Sequence, residues 1–483
     1  MIVDRNLISK NFRYKTNELN HRYGFAEEQV TNLRGLESRI DYWKYILFAH
    51  CGMNKGDKIA LGLTQIGLDY IAIVFAGMEL GLQFVVLDFS IQADRIGVND
   101  FKTDAFGKID LFLHHFPDSD ENLEYYGKKS RKVFHTYDLA DLPINRNEEF
   151  RIIAAKRPDP DDVLMLCTSS GTTGTPKRVQ HTHRFMYELA KRNAKQFSGS
   201  VMHIRNLHHG SSMAVFFLPT LASDAVDLHM GLGYNIAEEG MCKIANISNK
   251  YQIKNISFPY TSDIDIFLNE CKDKDYKWRD GLNIYTLSYI PDTWKKFFEP
   301  VGINQIQSIF GCNETSGPLF VSNMYKDKTF NPKHFTKLDD FYSYSRDKRD
   351  MLTVHMPVYD IDIKMNDMFT VENETWIYAG REDMIKIDQV EINLGSLMET
   401  PAKYKIDALC LTDSVFNKIY LAIWEDIPPS VAKIKTDIVN KDIKRNINKS
   451  LKVDKYQVLS KSDFMRGIKL DHEMIRDWFR NND

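Results

Sequence analysis

The sequence predicts an α/β protein: a large N-terminal domain of stacked mixed and parallel sheets with flanking helices, followed by a small α+β C-terminal domain. Three observations predict it. Between Ile59 and Leu87 an apolar run, a helical period and a second apolar run succeed one another, the pattern of a β-α-β unit whose parallel strands are buried on both faces. Two further buried runs, Val163 to Cys167 and Ile306 to Phe310, each lead straight into a glycine-bearing loop, and parallel sheets bind ligands at the carboxyl ends of their strands. The chain has 483 residues, beyond the roughly 250–300 at which a single core stops growing, so more than one domain is expected.

Taken in order, Glu37 to Cys51 carries Ile40, Trp43 and Leu47 at helical spacing, with Gly52 as the stop. Lys55-Gly56-Asp57 turns the chain into a strand over Ile59 to Leu63, a helix over Asp69 to Leu80 and a strand over Phe84 to Leu87. The segments Met213 to Leu221, Ile253 to Phe258 and Leu282 to Ser288 are compatible with further strands and helices. A strand over Thr375 to Tyr378 precedes Gly380-Arg381, where the domain boundary is placed, giving a large domain over 1–380 and a small one over 381–483. The small domain has its own apolar runs, Ala408 to Leu411 and Ile419 to Trp424. In it, Pro428-Pro429-Ser430 starts a helix carrying Ile434, Ile438 and Ile447.

Composition narrows the function classes. Hydrophobic content of 43% and charged content of 27% are those of a globular protein able to offset its chain entropy. A net charge of -3 argues against a dedicated polyanion binder, and Tyr456 and Phe464 are too few for an aromatic strip on the basic tail, so nucleic acid is not expected as a partner. The richest apolar stretch, Ile59 to Leu87, is broken by Asp69 and Glu79, so no membrane span is read, and Met1 to Lys10 lacks the apolar core of a secretory signal. The six cysteines form no CxxC pair, which disfavours zinc and a disulfide framework and predicts packing thiols in a reducing, cytoplasmic setting.

The most informative segment is Ser169-Ser170-Gly171-Thr172-Thr173-Gly174-Thr175-Pro176-Lys177. Glycines let backbone N–H groups approach a phosphate, hydroxyls add hydrogen bonds, and Lys177 adds charge. It reads as a phosphate cradle. The nucleotide loop GxxxxGK[ST] is absent, which disfavours a kinase or ATPase of that type.

This segment resembles the phosphate loop of the adenylate-forming superfamily (acyl-CoA synthetases, nonribosomal peptide synthetase adenylation domains, luciferases), whose pattern is T/S-S-G-T-T-G-x-P-K-G-V; Arg178 replaces the last glycine. Phe310-Gly311-Cys312-Asn313-Glu314 resembles the family's aromatic-G-x-T-E segment, which implies Phe310 beside adenine, Gly311 and Asn313 at the nucleotide and Glu314 on magnesium. Asn366-Asp367 and Gly380-Arg381 are spaced like the family's T-G-D and G-R motifs, implying that Asp367 binds the ribose hydroxyls and Arg381 the ribose and phosphate. A carboxylate suits a vicinal diol because its two oxygens accept two parallel bonds. By itself such an Asp reads as a turn residue. Asn206-Leu207-His208-His209-Gly210 resembles the H-x-x-G region near the acyl pocket, which puts His208 and His209 beside the substrate; alone they read equally well as capping or core residues.

Lys469-Leu470-Asp471-His472 resembles the family's C-terminal lysine segment, with Ile468 and His472 at its glycine and arginine positions. The resemblance implies that Lys469 is the lysine entering the site during adenylation, with Lys461 as the alternative register, and that the small domain is mobile about a hinge at Asp383. Gln389 stands where the family has the glycine that lets a pantetheine arm approach. The implied function is ATP- and Mg2+-dependent activation of a small-molecule carboxylic acid through an acyl-adenylate, releasing pyrophosphate, followed by transfer to a thiol of CoA or of carrier-protein phosphopantetheine. The basic stretch Ala432 to Lys469 reads as a solvated face or as a surface for such an anionic acceptor. Two alternatives stand beside this: a family member that binds nucleotide or a partner without chemistry, and adenylation followed by transfer to an amine or hydroxyl.

Overall fold

The computed structural model describes residues 1–20, 25–63, 67–87, 105–116, 121–144, 157–168, 178–197, 199–203, 213–223, 228–230, 248–258, 264, 267, 269, 273, 277, 281–287, 290, 302–324, 330–348, 350–381, 384–387, 390–393, 397–398, 400–401, 404–413, 418–447, 451–466, 469–470 and 472–482. They form two compact units. The larger comprises Met1–Tyr344, Val354–Ile363 and Val371–Ile377; the smaller comprises Ser345–Thr353, Lys364–Thr370 and Tyr378–Asp483.

In the larger unit the expected β-α-β unit is present as β1 (Lys58–Gly62), α1 (Leu68–Leu80) and β2 (Gln83–Val85). The two strands run parallel, Ile59 opposite Phe84. Helix α1 is buried on nearly every side, from Tyr70 through Met78, because the helix before it covers the face the sheet does not. That earlier helix spans Leu33–Tyr45 and continues as a π-helical turn over Ile46–His50. It starts four residues before the expected Glu37 because the Asn32 side chain accepts the Gly35 N–H and caps it. Ile40, Trp43 and Leu47 are all fully buried, as their spacing predicts. Gly77 in α1 is needed for contact: a Cβ there would meet Phe84 Cζ at 2.7 Å.

Strands β3 (Ile109–His114), β4 (Ser130–His135), β5 (Val163–Thr168) and β6 (Arg178–Thr182) complete a six-stranded sheet in the order β4-β3-β1-β2-β5-β6. All are parallel except β6, which returns antiparallel along β5.

A second, mixed sheet has a parallel centre of β7 (Val201–His203), β8 (Leu228–Met230), β9 (Asn255–Ser257), β10 (Leu282–Thr286) and β11 (Ile303–Phe310). Antiparallel β12 (Phe320–Met324) and β13 (His334–Lys337) follow β11. At the far side the hairpin Arg13–Asn20/Phe25–Asn32 joins through its first strand, parallel to β8. The sequence gives no warning of this hairpin, since its residues lack an apolar alternation. Met213 to Leu221 is helical throughout, π-wound to Phe217 and α-helical from Leu218.

The smaller unit is built on β14 (Ala408–Asp413), β15 (Lys418–Ile423) and β16 (Lys455–Val458). Alternation sends Cys410, Ile419, Leu421 and Ile423 to one face, where they pack with Ala432, Val439 and Ile443. Leu409, Leu411, Tyr420 and Ala422 go to the other, where Ile475 and Phe479 cover them. Two helices supply those covers, α2 (Pro429–Asp442) and α3 (His472–Asn481). Of the isoleucines expected on α2 and its extension, Ile438 and Ile447 pack against the core, but Ile434 is 59% exposed. The buried stripe is Ala432, Thr436, Val439 and Ile443, and Ile434 is rotated off it.

Among the described residues no helix is long and apolar enough to cross a membrane. Cys51, Cys167, Cys312 and Cys410 are free thiols; Cys242 and Cys271 lie outside the described residues.

Candidate active site

Strand β5 delivers the chain to the phosphate-loop segment, and β6 carries it away. Register pairs Thr168 with Arg178 and Cys167 with Val179, so the residues on either side of 169–177 lie opposite one another. Ser169, Ser170, Gly171, Thr172, Thr173, Gly174 and Lys177 themselves lie outside the described residues; their two anchors do not. The exit is held by Thr182, which caps the helix His183–Ala194 by accepting the Phe185 N–H. The Tyr359 hydroxyl accepts the Thr182 N–H at 2.9 Å.

Strand β11 delivers the second segment. Its last residue, Phe310, is partly buried and packs near Phe320 and Phe335, with ring centroids 6.1 and 5.9 Å away. The turn that follows is tight. A Cβ on Gly311 would meet the Gly317 carbonyl oxygen at 2.4 Å, so only glycine fits. Ser316 is buried at φ +44°, a left-handed conformation that a side chain rarely adopts and that surrounding bonds must hold. Those bonds are Ser316 N–H to the Cys312 carbonyl (2.9 Å), Thr315 Oγ1 to the same carbonyl (3.1 Å) and the Tyr342 hydroxyl to the Thr315 carbonyl (3.0 Å). Glu314 sits half-buried on this turn.

The two segments meet at Asn313. Its Nδ2 donates to the Thr168 carbonyl at 2.7 Å, and its own carbonyl lies 2.8 Å from His181 Nε2 and accepts from Ser316 Oγ at 3.1 Å. A carbonyl only accepts, so Nε2 carries the imidazole proton. His181 is 1% exposed and stacks on Phe185 (5.0 Å, 23°); burial pushes its pKa down to about 4, so it stays neutral. Sequence reasoning passed over His181, whose only signal is its place on a strand leaving the phosphate loop.

Electrostatically the turn centres on one carboxylate. Burial, and secondarily the charge of Glu314, push the Cys312 thiol up to about 12 and raise the Cys167 thiol as well. Both thiols stay protonated, leaving the Glu314 charge uncompensated by them. Among the described residues no group of three His, Cys, Asp or Glu could hold a metal by itself. A single carboxylate fits magnesium, which takes one or two protein carboxylates and completes its octahedron with phosphate oxygens and water.

In the smaller unit Asp367 lies inside the strand Ile361–Glu372 rather than in a turn, 6% exposed, and accepts from the Tyr378 hydroxyl at 3.4 Å. Arg381 ends the strand Thr375–Arg381. Lys469 opens a short strand paired with Met465–Arg466, opposite Arg466. The side chains of Arg381 and Lys469 lie outside the described residues, as do His208, His209, Asp383 and Gln389 entirely.

A family model described as AMP-binding enzyme matches residues 45–338. No curated protein matches the chain in sequence. Several solved structures share its fold. O-succinylbenzoate coenzyme A synthetase (MenE) from Bacillus subtilis, in complex with ATP and magnesium ion, is 16% identical with a TM-score of 0.63, covering 90% of this chain and 92% of that one. The A-PCP structure of McyG, complexed with phenylalanyl-adenylate, is 13% identical with a TM-score of 0.61, covering 98% and 81%. A fatty acyl-adenylate ligase structure from work on the E. coli and L. pneumophila enzymes is 13% identical with a TM-score of 0.63, covering 99% and 96%.

Proposed function

Since the chain belongs to the AMP-binding enzyme family, we propose that it activates a small-molecule carboxylic acid by joining it to the AMP half of ATP. The observation that carries this reading is Asn313 bridging the two segments: its amide binds the carbonyl at the root of the phosphate loop while the next residue supplies the carboxylate.

In the proposed reaction an oxygen of the substrate carboxylate attacks the α-phosphorus, the bond from that phosphorus to the pyrophosphate oxygen breaks, and pyrophosphate leaves. Ser169, Ser170, Gly171, Thr172, Thr173, Gly174 and Lys177 hold the phosphates, Phe310 and Gly311 border the adenine, and Asp367 and Arg381 hold the ribose. Lys469 meets the charge that builds on phosphorus. Glu314 would hold magnesium, whose contribution is to neutralise phosphate charge as a Lewis acid. His208 and His209 are assigned to the acyl side.

The finer assignments belong to the same reading. In this reading residues 1–380 act as a large domain and residues 381–483 as a small mobile domain hinged at Asp383, in the cytoplasm. The acyl group then passes to a thiol of CoA or of an acidic carrier protein, for which the basic stretch Ala432 to Lys469 offers complementary charge. The names of the fold neighbours, a coenzyme A synthetase and an A-PCP protein, support a thiol acceptor.

ATP–pyrophosphate exchange over fatty, aromatic and amino acids tests the activation step; a magnesium-supplied, folded sample that exchanges with none of them overturns it. Incubating the active pair with CoA or with amines then separates thiol from amine transfer.

A further inference from the structure

Two hydrogen bonds of opposite sense converge on one residue. Asn313 gives its amide to the last residue of β5 and offers its carbonyl to His181 on β6. The strands β5 and β6 flank the phosphate-loop segment, so both its ends are tied to the residue immediately before Glu314. The Asn313 main chain is gripped from the side by His181, and that grip fixes the peptide plane that leads into Glu314.

We infer that His181 is a positioning residue, which sets the metal-holding carboxylate against the phosphate loop by donating from Nε2 to the Asn313 carbonyl. The inference deepens the acid-activation reading and rests on it. A packing role alone does not account for the imidazole. The site is apolar on the Phe185 side, where a leucine or phenylalanine would fill the same space, and Nδ1 is a buried acceptor with no partner among the described residues. A buried unpaired acceptor is unfavourable, so what distinguishes histidine here from an apolar side chain is the donor it sends to Asn313. Ser316 Oγ also reaches that carbonyl, but from within the turn itself, and the weakly donating Cys167 thiol approaches it from β5 only at 3.9 Å; the short bond from the loop-bearing hairpin, 2.8 Å, is the one His181 makes.

The test compares variants by their dependence on each reactant in acid-dependent pyrophosphate exchange. His181→Leu removes the donor; His181→Phe removes it while keeping a ring on Phe185; His181→Gln keeps an N–H donor. Leu and Phe are expected to raise both the KM for ATP and the magnesium concentration for half-maximal rate by about tenfold, the size of one lost hydrogen bond in a preorganised site, with the KM for the acid unchanged. Gln is expected to stay within about threefold of wild type, the residue of a donor kept in altered geometry. Unchanged ATP and magnesium dependence in Leu or Phe overturns the inference, as does an equal rise in all three parameters with no rescue by Gln. Should Leu and Phe fail to fold, Gln decides: a loss of magnesium dependence matching Glu314→Gln overturns it, and retention supports it. Wild-type protein without any exchange overturns the acid-activation reading itself, and this inference with it.

Discussion

The Gly311 Cα and the Gly317 carbonyl oxygen approach so closely that a methyl group on Gly311 would lie 2.4 Å from that oxygen. The contact is backbone against side chain, with nothing flexible to give way. Gly311→Ala therefore displaces the turn carrying Asn313 and Glu314. The expected outcome is loss of ATP binding and of exchange activity with a folded protein, measured by calorimetry and by far-ultraviolet circular dichroism; wild-type affinity would mean the turn does not serve nucleotide.

Glu314→Gln keeps the size of the side chain and removes its charge. If Glu314 holds magnesium, exchange falls by about 10² to 10³, the usual cost of one preorganised electrostatic group, and a magnesium titration no longer saturates in its former range. A variant with an unaltered magnesium titration would remove Glu314 from the metal.

Lys469→Ala separates binding from chemistry. The ammonium is assigned to charge that appears only as the α-phosphorus is attacked, so the rate falls while ATP affinity measured by calorimetry stays within about twofold, there being little ground-state contact to lose. Wild-type exchange in the variant would refute the assignment and turn attention to Lys461.

Acid should destabilise the larger unit through three buried histidines. Burial holds His181 and His183 at about 4 and His203 at about 3, against an ordinary 6.5. Below 6.5 the unfolded chain takes up protons that the folded state refuses, so stability present above pH 6.5 is lost as the pH falls toward 4. Each histidine contributes up to about 2 kcal/mol to the difference between pH 8 and pH 5. Denaturant midpoints at the two pH values check this, and the difference should shrink in His203→Gln.

The alternation of buried runs made the β-α-β unit readable because helix α1 and strands β1 and β2 obey their own periods, with Ile59, Phe75 and Phe84 all buried. The turn after Phe310 was readable from resemblance and is explained by contact: Gly311 has no room for a side chain. What escaped were relations between segments far apart in sequence. His181 sits 132 residues from Asn313, and no local pattern marks a histidine on a short strand as the partner of a distant carbonyl. Ile434 misled for the opposite reason, since the four-residue step from Ile434 to Ile438 does not say which stripe of a helix meets the core. The polar hairpin Arg13–Asn20/Phe25–Asn32 has no periodicity to read at all.

In the six-stranded sheet β2 lies between β1 and β5, although β5 begins at Val163 and β2 ends at Val85. During synthesis β2 emerges with one flank already matched by β1 and the other exposing bare N–H and C=O groups until β5 leaves the ribosome. Such an unpaired flank is a template for any passing strand. Nascent chains or proteolytic fragments that stop between Val85 and Val163 should therefore be the sticky ones, and those reaching past Thr182 should stay in solution.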